Sequence, residues 1–262
     1  MSDDNRWTLL RRATAARIGL GRAGASIATP DHLRFQAAHA LARDAVASQL
    51  DVPALRQRLA EAGCESVELR SACPDPQTFL RRPDLGRRLA PDSAALLAAG
   101  PGGTDVAFVI SGGLSAAGVA TNAPALLAAM LPTLRGWSWS MAPVVVIALG
   151  RVAVGDEVGK RLGARLAVVL IGERPGLSSP DSMGAYLTWQ PRIGRSDAER
   201  NCLSNIRPAG LPLAEAARRL LWLMRAAAER QVSGVGLKDE SEAELAAPIA
   251  PPPLTGGQSG RP

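Results

Sequence analysis

The stretch Leu166-Ala-Val-Val-Leu-Ile171 is six apolar residues long and runs straight into Gly172-Glu173. A strand that is apolar on both faces must be covered on both, which places it inside a sheet with helices on either side. Two similar runs precede it, Val106-Ala-Phe-Val-Ile110 and Val144-Val-Val-Ile-Ala-Leu149. Helical pattern fills the intervals, over residues 114–134 and 156–162. Ser66-Val-Glu-Leu-Arg-Ser71 alternates as a strand, and residues 185–189 read as a shorter strand at an edge. This alternation predicts an α/β fold, a Rossmann-like parallel sheet flanked by helices.

Upstream of the sheet the pattern is helical. Residues 7–18 form a short amphipathic helix, and Thr29-Pro30-Asp31 supplies an N-cap, a proline at the first helical position and an acid in the first turn of the next. Its apolar stripe includes Leu33, Ala37, Leu41 and Ala45, and residues 51–62 continue in helical period. Between the two helices lies Ile18-Gly-Leu-Gly-Arg-Ala-Gly-Ala-Ser26, a G-x-G-x-x-G at Gly19, Gly21 and Gly24. A dinucleotide fingerprint needs a strand before the first glycine and an acid at a strand end ~20 residues on. Here a helix precedes, and Asp44 falls inside one, so the stretch reads as a tight turn. Downstream, Leu211-Pro212 opens a last helix with Leu213, Ala217, Leu220 and Met224 on one face, ending near Arg230. Beyond Ser233 the composition is Gly, Pro and acid, the signature of a disordered tail. The expected division is a helical region over 1–62, an α/β domain over 63–232 and a tail over 233–262.

The 262 residues suit one main core with an added element. The net charge of +6 is carried almost wholly by arginine, with Lys160 and Lys238 the lysines. The arginines alternate with acids instead of gathering beside stacking aromatics, which argues against nucleic acid as a partner. From Val106 to Gly150 the one charged residue is Arg135, but Gly112, Gly113, Asn122, Pro124 and Pro132 interrupt the run. No apolar segment of ~20 residues spans a membrane. Cys64, Cys73 and Cys202 form no C-x-x-C pair, and the start MSDDNRW lacks an apolar signal run, so reduced thiols in a cytoplasm are expected. His32 and His39, seven apart, miss the i, i+4 spacing of helical metal sites. Neither a histidine metal centre nor a Ser-His-Asp triad is expected.

Ligands of open parallel sheets bind at the carboxyl ends of the strands. Three glycine-bearing turns fall there: Ser111-Gly-Gly-Leu-Ser115, Gly150-Arg-Val-Ala153 and Gly172-Glu-Arg-Pro-Gly176. Each alone is an ordinary strand-to-helix turn; together they outline a crevice whose backbone a flat ligand could approach closely. Glu173 leaves the sheet at that crevice, where it either accepts hydrogen bonds from amide or hydroxyl donors or pairs with Arg174 or Arg207. Asn201-Cys-Leu-Ser-Asn-Ile-Arg207 sets small polar groups around a thiol with neither helical nor strand period. Cys202 itself reads as a buried small hydrophobe with no histidine to activate it. The inventory offers binding groups but no acid/base pair and no nucleophile with its base. It describes a protein that holds a ligand whose chemistry is done elsewhere.

At these residues the sequence resembles the small (light) subunit of ethanolamine ammonia-lyase, an adenosylcobalamin-dependent enzyme. The matching segments include ARIGLGRAG (16–24), HALARDAV (39–46), RRPDLGRRL (81–89), GLSA (113–116), GRVAVGDEVGKRLGA (150–164), IGERPGLSSPDSMGAYLTW (171–189) and RNCLSNIRPAGLP (200–212). The resemblance implies a large subunit, a TIM barrel carrying substrate and catalytic residues, with this chain closing over the corrinoid at the interface. It implies cobalamin contacts from the valine of GRV, the glutamate of GERPG and the cysteine of C-[IL]-SNI, which fall on Val152, Glu173 and Cys202. Two departures stand out. The family usually reads D-G-L-S where this chain has Gly112-Gly-Leu-Ser115, and the N-terminal extension that some relatives use to enter a bacterial microcompartment is almost absent. The second departure favours a plain cytoplasmic location. Two rival expectations are a stand-alone nucleotide-binding oxidoreductase built on Gly19, Gly21 and Gly24, and an assembly subunit with little cofactor contact.

Overall fold

A computed structural model describes residues 3–97 and 103–242. The chain begins with α1 (Asp3–Ala13), the two-residue strands β1 (Arg22–Ala23) and β2 (Ser26–Ile27), α2 (Thr29–Ala47) and α3 (Val52–Glu61). There follow β3 (Ser66–Glu68), the short helices α4 (Pro76–Arg81) and α5 (Pro91–Ala95), β4 (Thr104–Ser111), α6 (Ala116–Gly136), β5 (Val144–Ile147) and α7 (Val154–Arg161). The remainder is β6 (Ala164–Gly172), β7 (Met183–Trp189), β8 (Arg200–Ile206) and α8 (Leu213–Arg230).

Six strands form one sheet in the order β3-β5-β4-β6-β7-β8. The first four are parallel, as the apolar runs require, but β7 lies antiparallel to β6 and β8 antiparallel to β7. The sheet is therefore mixed, which corrects the expectation of a parallel one. The reason is connection length: residues 173–182 and 190–199 hold no α-helix, and a parallel return needs a crossover of roughly a dozen residues or more. The strand around residues 185–189 is not at the edge either, since β8 covers it.

Both faces of the parallel strands are covered. Phe108, Ile110, Val168 and Leu170 pack with α3, α6 and α8, while Val109, Val145, Val169 and Ile171 pack with Val154 and Val158 of α7. α6 is long and apolar enough to cross a membrane by composition, yet one side of it is built into the first core through Val119, Leu126, Leu127, Met130 and Leu134. Pro124 inside α6 removes the N–H that would bond the Ala120 carbonyl, and the Arg58 guanidinium donates to that carbonyl instead. Val52, Leu55 and Leu59 of α3 belong to the same core, so a boundary at residue 62 cuts through packed structure.

The segment before α3 is different. Gly24 adopts φ +65° at the first position of the two-residue turn between β1 and β2, the geometry a tight hairpin needs. Helix α1, not a strand, precedes Gly19, so the dinucleotide reading of G-x-G-x-x-G does not hold. Helix α2 starts one residue earlier than expected, with Ala28 as an N-cap lacking a side-chain bond, and none of its residues is buried. Leu33 is 58 % exposed and Leu41 60 %.

At the other end the chain keeps its structure beyond Ser233. The Ser233 hydroxyl donates to the Glu199 carbonyl and accepts from the Trp189 amide, the Asn201 amide donates to the carbonyls of Gly234 and Leu237, and Leu237 and Ser241 are buried. Residues 233–242 thus pack on the body where a disordered tail was expected, because Leu237 and these backbone groups find partners on β8 and α8. The rest of the expected tail, residues 243–262, lies outside the described residues.

Candidate functional site

The three glycine turns do meet at the carboxyl ends of β4, β5 and β6, and they interlock. The Ser111 hydroxyl donates to the Gly150 carbonyl at 2.9 Å and accepts from the Gly150 amide at 3.0 Å. The Leu114 amide donates to the Gly172 carbonyl at 3.0 Å. A Cβ on Gly172 would lie 2.1 Å from the Ser115 carbonyl oxygen, and one on Gly112 2.6 Å from that of Ala148. Turn packed on turn is what demands glycine at these two positions; close approach by a ligand is not required to explain them.

In front of the turns is a cavity of about 290 Å³ lined by Gly113, Leu114, Arg151, Val152, Glu173 and Tyr186. Val152 is half-buried, its side chain packed against the α7 core. Glu173 follows the last residue of β6 and is also half-buried. Its Oε1 accepts from the Ser204 hydroxyl at 2.5 Å and its Oε2 from the Asn205 amide at 2.9 Å. It pairs with neither Arg174 nor Arg207; Arg207 is bound to Asp181 at 3.0 Å and to the Ser178 carbonyl at 2.9 Å. Two occupied lone pairs leave a carboxylate room for further donors. Glu173 also faces a polar groove of about 520 Å³ shared with Arg174, Ser182, Ser204 and Arg207.

Cys202 stands on β8 directly opposite Tyr186 of β7. It is exposed, not the buried small hydrophobe that its sequence context suggested. The reason is that residues 200–207 are mostly an edge strand, a reading that their sequence obscured. Arg200, Leu203 and Ile206 are the buried positions, a spacing of three produced by an irregular register between β7 and β8. Asn205 takes a left-handed φ of +59° at this irregularity, and its amide reaches Glu173. The Cys202 thiol is pushed up from its ordinary pKa, first by desolvation and also by the charge of Glu173, against a hydrogen bond with Tyr186. A raised thiol is a poor nucleophile at neutral pH.

Val152 and Glu173 therefore line one cavity, and Cys202 adjoins it across Tyr186. Tyr186, the only tyrosine, was not singled out from sequence, although strand alternation puts it on one face with Gly184 and Thr188. Desolvation, followed by its neighbour Cys202, raises the pKa of its phenol, so it stays a neutral hydrogen-bonding group. Among the described residues, no group of three or more His, Cys, Asp or Glu could hold a metal ion. The site offers an apolar wall, a fixed acceptor, a phenol and a soft small side chain. Such a set binds and orients.

Residues 4–238 match the family described as "Ethanolamine ammonia-lyase light chain". The chain is similar to proteins named "Ethanolamine ammonia-lyase small subunit" from several bacteria. That of Azotobacter vinelandii is 54 % identical over 243 residues, covering 91 % of this chain and 90 % of the relative. That of Ralstonia nicotianae is 55 % identical over 245 residues, covering 92 % and 91 %. That of Pseudomonas fluorescens Pf-5 is 54 % identical over 244 residues, covering 92 % and 89 %.

Proposed function

The chain belongs to the ethanolamine ammonia-lyase light-chain family and is thus a subunit of an ammonia-lyase; from that premise we propose that it helps to hold adenosylcobalamin against a catalytic large subunit. The observation that carries the reading is the convergence of Val152 and Glu173 on one cavity, with Cys202 beside it across Tyr186; these are the three positions to which the resemblance in sequence assigns cobalamin contacts. Their chemistry fits a corrinoid, which presents a flat apolar body edged with amides. Val152 meets the body, Glu173 accepts from an amide, and Cys202 leaves space where a bulkier side chain would obstruct the rim.

When bound, adenosylcobalamin supplies homolysis of its cobalt-carbon bond. The residues of this chain bind and position. Ser204 and Asn205 fix the Glu173 carboxylate before any ligand arrives, so little side-chain freedom is lost on binding. Closure of this surface on a partner excludes water and strengthens the polar contacts inside.

Equilibrium dialysis of cobalamin against the large subunit, with and without this chain, tests the reading. Retention should rise when the chain is present. Equal retention would leave this chain as an assembly subunit with little cofactor contact and would overturn the proposal.

A further inference from the structure

We propose that Arg151, with Arg174 and Arg87, forms a receptor for a phosphate group in the cavity that Val152 and Glu173 also line. The inference rests on the corrinoid reading and refines it, for cobalamin carries a phosphodiester in its nucleotide loop as well as neutral amides on its ring.

Arg151 is held in place before any ligand arrives. Its Nη2 donates to the Phe79 carbonyl at 2.8 Å, its guanidinium carbon stands 4.1 Å from the centre of the Phe79 ring, and its backbone amide donates to the Gly86 carbonyl at 2.7 Å. Gly86 packs so close that a Cβ there would come within 2.9 Å of Arg151 Cγ. The Nε of Arg151 is buried and has no hydrogen-bond partner. Arg174 lines the same cavity, and Arg87 follows Gly86 in the chain.

Among the described residues, no carboxylate forms an ion pair with this group. Arg87 and Arg174 make no side-chain hydrogen bond or ion pair there, and the neighbouring acids are occupied. Asp75 is bound to Thr78, Asp84 to Arg82, Asp156 to Arg200, and Glu157 to the Leu89 amide and Arg161. Glu173 faces the same cavity, but Ser204 and Asn205 hold its oxygens. Elsewhere the arginines are commonly paired, as in Arg165 with Asp105 and Arg207 with Asp181. Desolvation first, and then the like charges of Arg87 and Arg174, lower the Arg151 pKa.

A phosphate offers several oxygens to several guanidiniums, and arginine forks match that geometry. A carboxylic ligand would have to serve three cations with two oxygens. The Glu173 carboxylate repels an anion beside it, so a ligand with its phosphate at the arginines and a neutral amide at Glu173 satisfies both groups.

The test uses the complex of both subunits and follows the corrinoid absorbance during titration with hydroxocobalamin or with cobinamide, which lacks the nucleotide loop and its phosphate. Arg174→Gln should weaken cobalamin binding by about fivefold or more, as expected for loss of a charge-assisted contact. Cobinamide binding should be unchanged, and inorganic phosphate should compete with cobalamin in the wild type but not in the variant. Equal loss for both corrinoids, or no loss for either, would overturn the phosphate receptor. If the wild-type complex retains neither corrinoid, the corrinoid reading fails by itself and inorganic phosphate decides the rest. A phosphate-dependent rise in melting temperature that Arg174→Gln abolishes would uphold the receptor with another ligand; no rise would end it.

Discussion

Arg200 grips Asp156 through two hydrogen bonds of 2.6 and 2.7 Å, with each side chain only 2 % exposed. Arg200 lies just before Cys202 on β8, and Asp156 just after Val152 on α7, so one ion pair ties together two walls of the site. Thr188 and the Arg195 carbonyl accept from the same guanidinium. Asp156→Asn should leave a buried charge short of its partner and cost about 3–5 kcal/mol, read from urea unfolding. Replacing both members by apolar residues of similar size should recover much of that loss. If the single variant unfolds like the wild type, the pair contributes nothing to holding the walls.

At Glu173 the two consequences of mutation separate. Ser204 and Asn205 lie at an exposed strand edge, so water can take the place of the lost carboxylate and Glu173→Ala should fold normally. In the two-subunit complex the same variant should lose about 1–3 kcal/mol of cobalamin affinity, with Glu173→Gln milder because its carbonyl still accepts. Unchanged affinity in a normally assembled Glu173→Ala complex would remove Glu173 from the cofactor contacts.

Gly112 gives a prediction with the opposite emphasis. Writing an aspartate into this position puts a Cβ 2.6 Å from the Ala148 carbonyl oxygen and 3.4 Å from Leu50 Cβ. Gly112→Asp should therefore destabilise the chain by about 1–3 kcal/mol, since both contacts belong to packed backbone or its neighbours. A melting curve equal to that of the wild type would show that the turn adjusts freely.

The segment after α8 should prove structural. Leu237 is 2 % exposed, and Leu237→Ala should cost about 2–5 kcal/mol, as a large-to-small change in a closed core does. Deleting everything from Ser233 should lower the melting temperature further, because the Trp189 amide and the Asn201 side chain would lose their partners as well. Truncation without thermal effect would contradict the packing of residues 233–242.

Acid sensitivity should pass through Glu215. Hydrogen bonds from Arg218 and then Arg219 hold its carboxyl down to about 2, from an ordinary value of 4.5. A depressed carboxylate contributes stability that is present above its unfolded pKa and is lost as the pH falls through the folded one. The melting temperature should thus drop between about pH 4.5 and 2, and Glu215→Gln should flatten that part of the profile. An unaltered acid limb in the variant would assign the loss to other groups.

The parallel half of the sheet was legible because β4, β5 and β6 are apolar on both faces, a pattern that helices alone seldom give at that length. The antiparallel half was not. β8 hides its alternation behind the bulge at Ser204 and Asn205, and its buried Arg200 looks like a surface residue until Asp156 is brought to it from α7. The crevice was legible from the ends of the strands, whereas the partners of Glu173 lie on β8, some thirty residues away, and no local pattern announces them. Gly112 and Gly172, in turns read as openings for a ligand, are where backbone turns against backbone. Tyr186 was visible in the alternation of β7, and only its position opposite Cys202 gives it meaning.

Helix α2 is nineteen residues long with nothing buried, so it lacks the packed apolar face from which most helices in proteins draw their stability. Its amides should exchange with solvent through brief local opening far sooner than those of β4 or β6. In a cell that distinction becomes one of lifetime. Residues 29–47 offer proteases a site that unwinds without global unfolding, so limited proteolysis should cut there before it cuts the sheet.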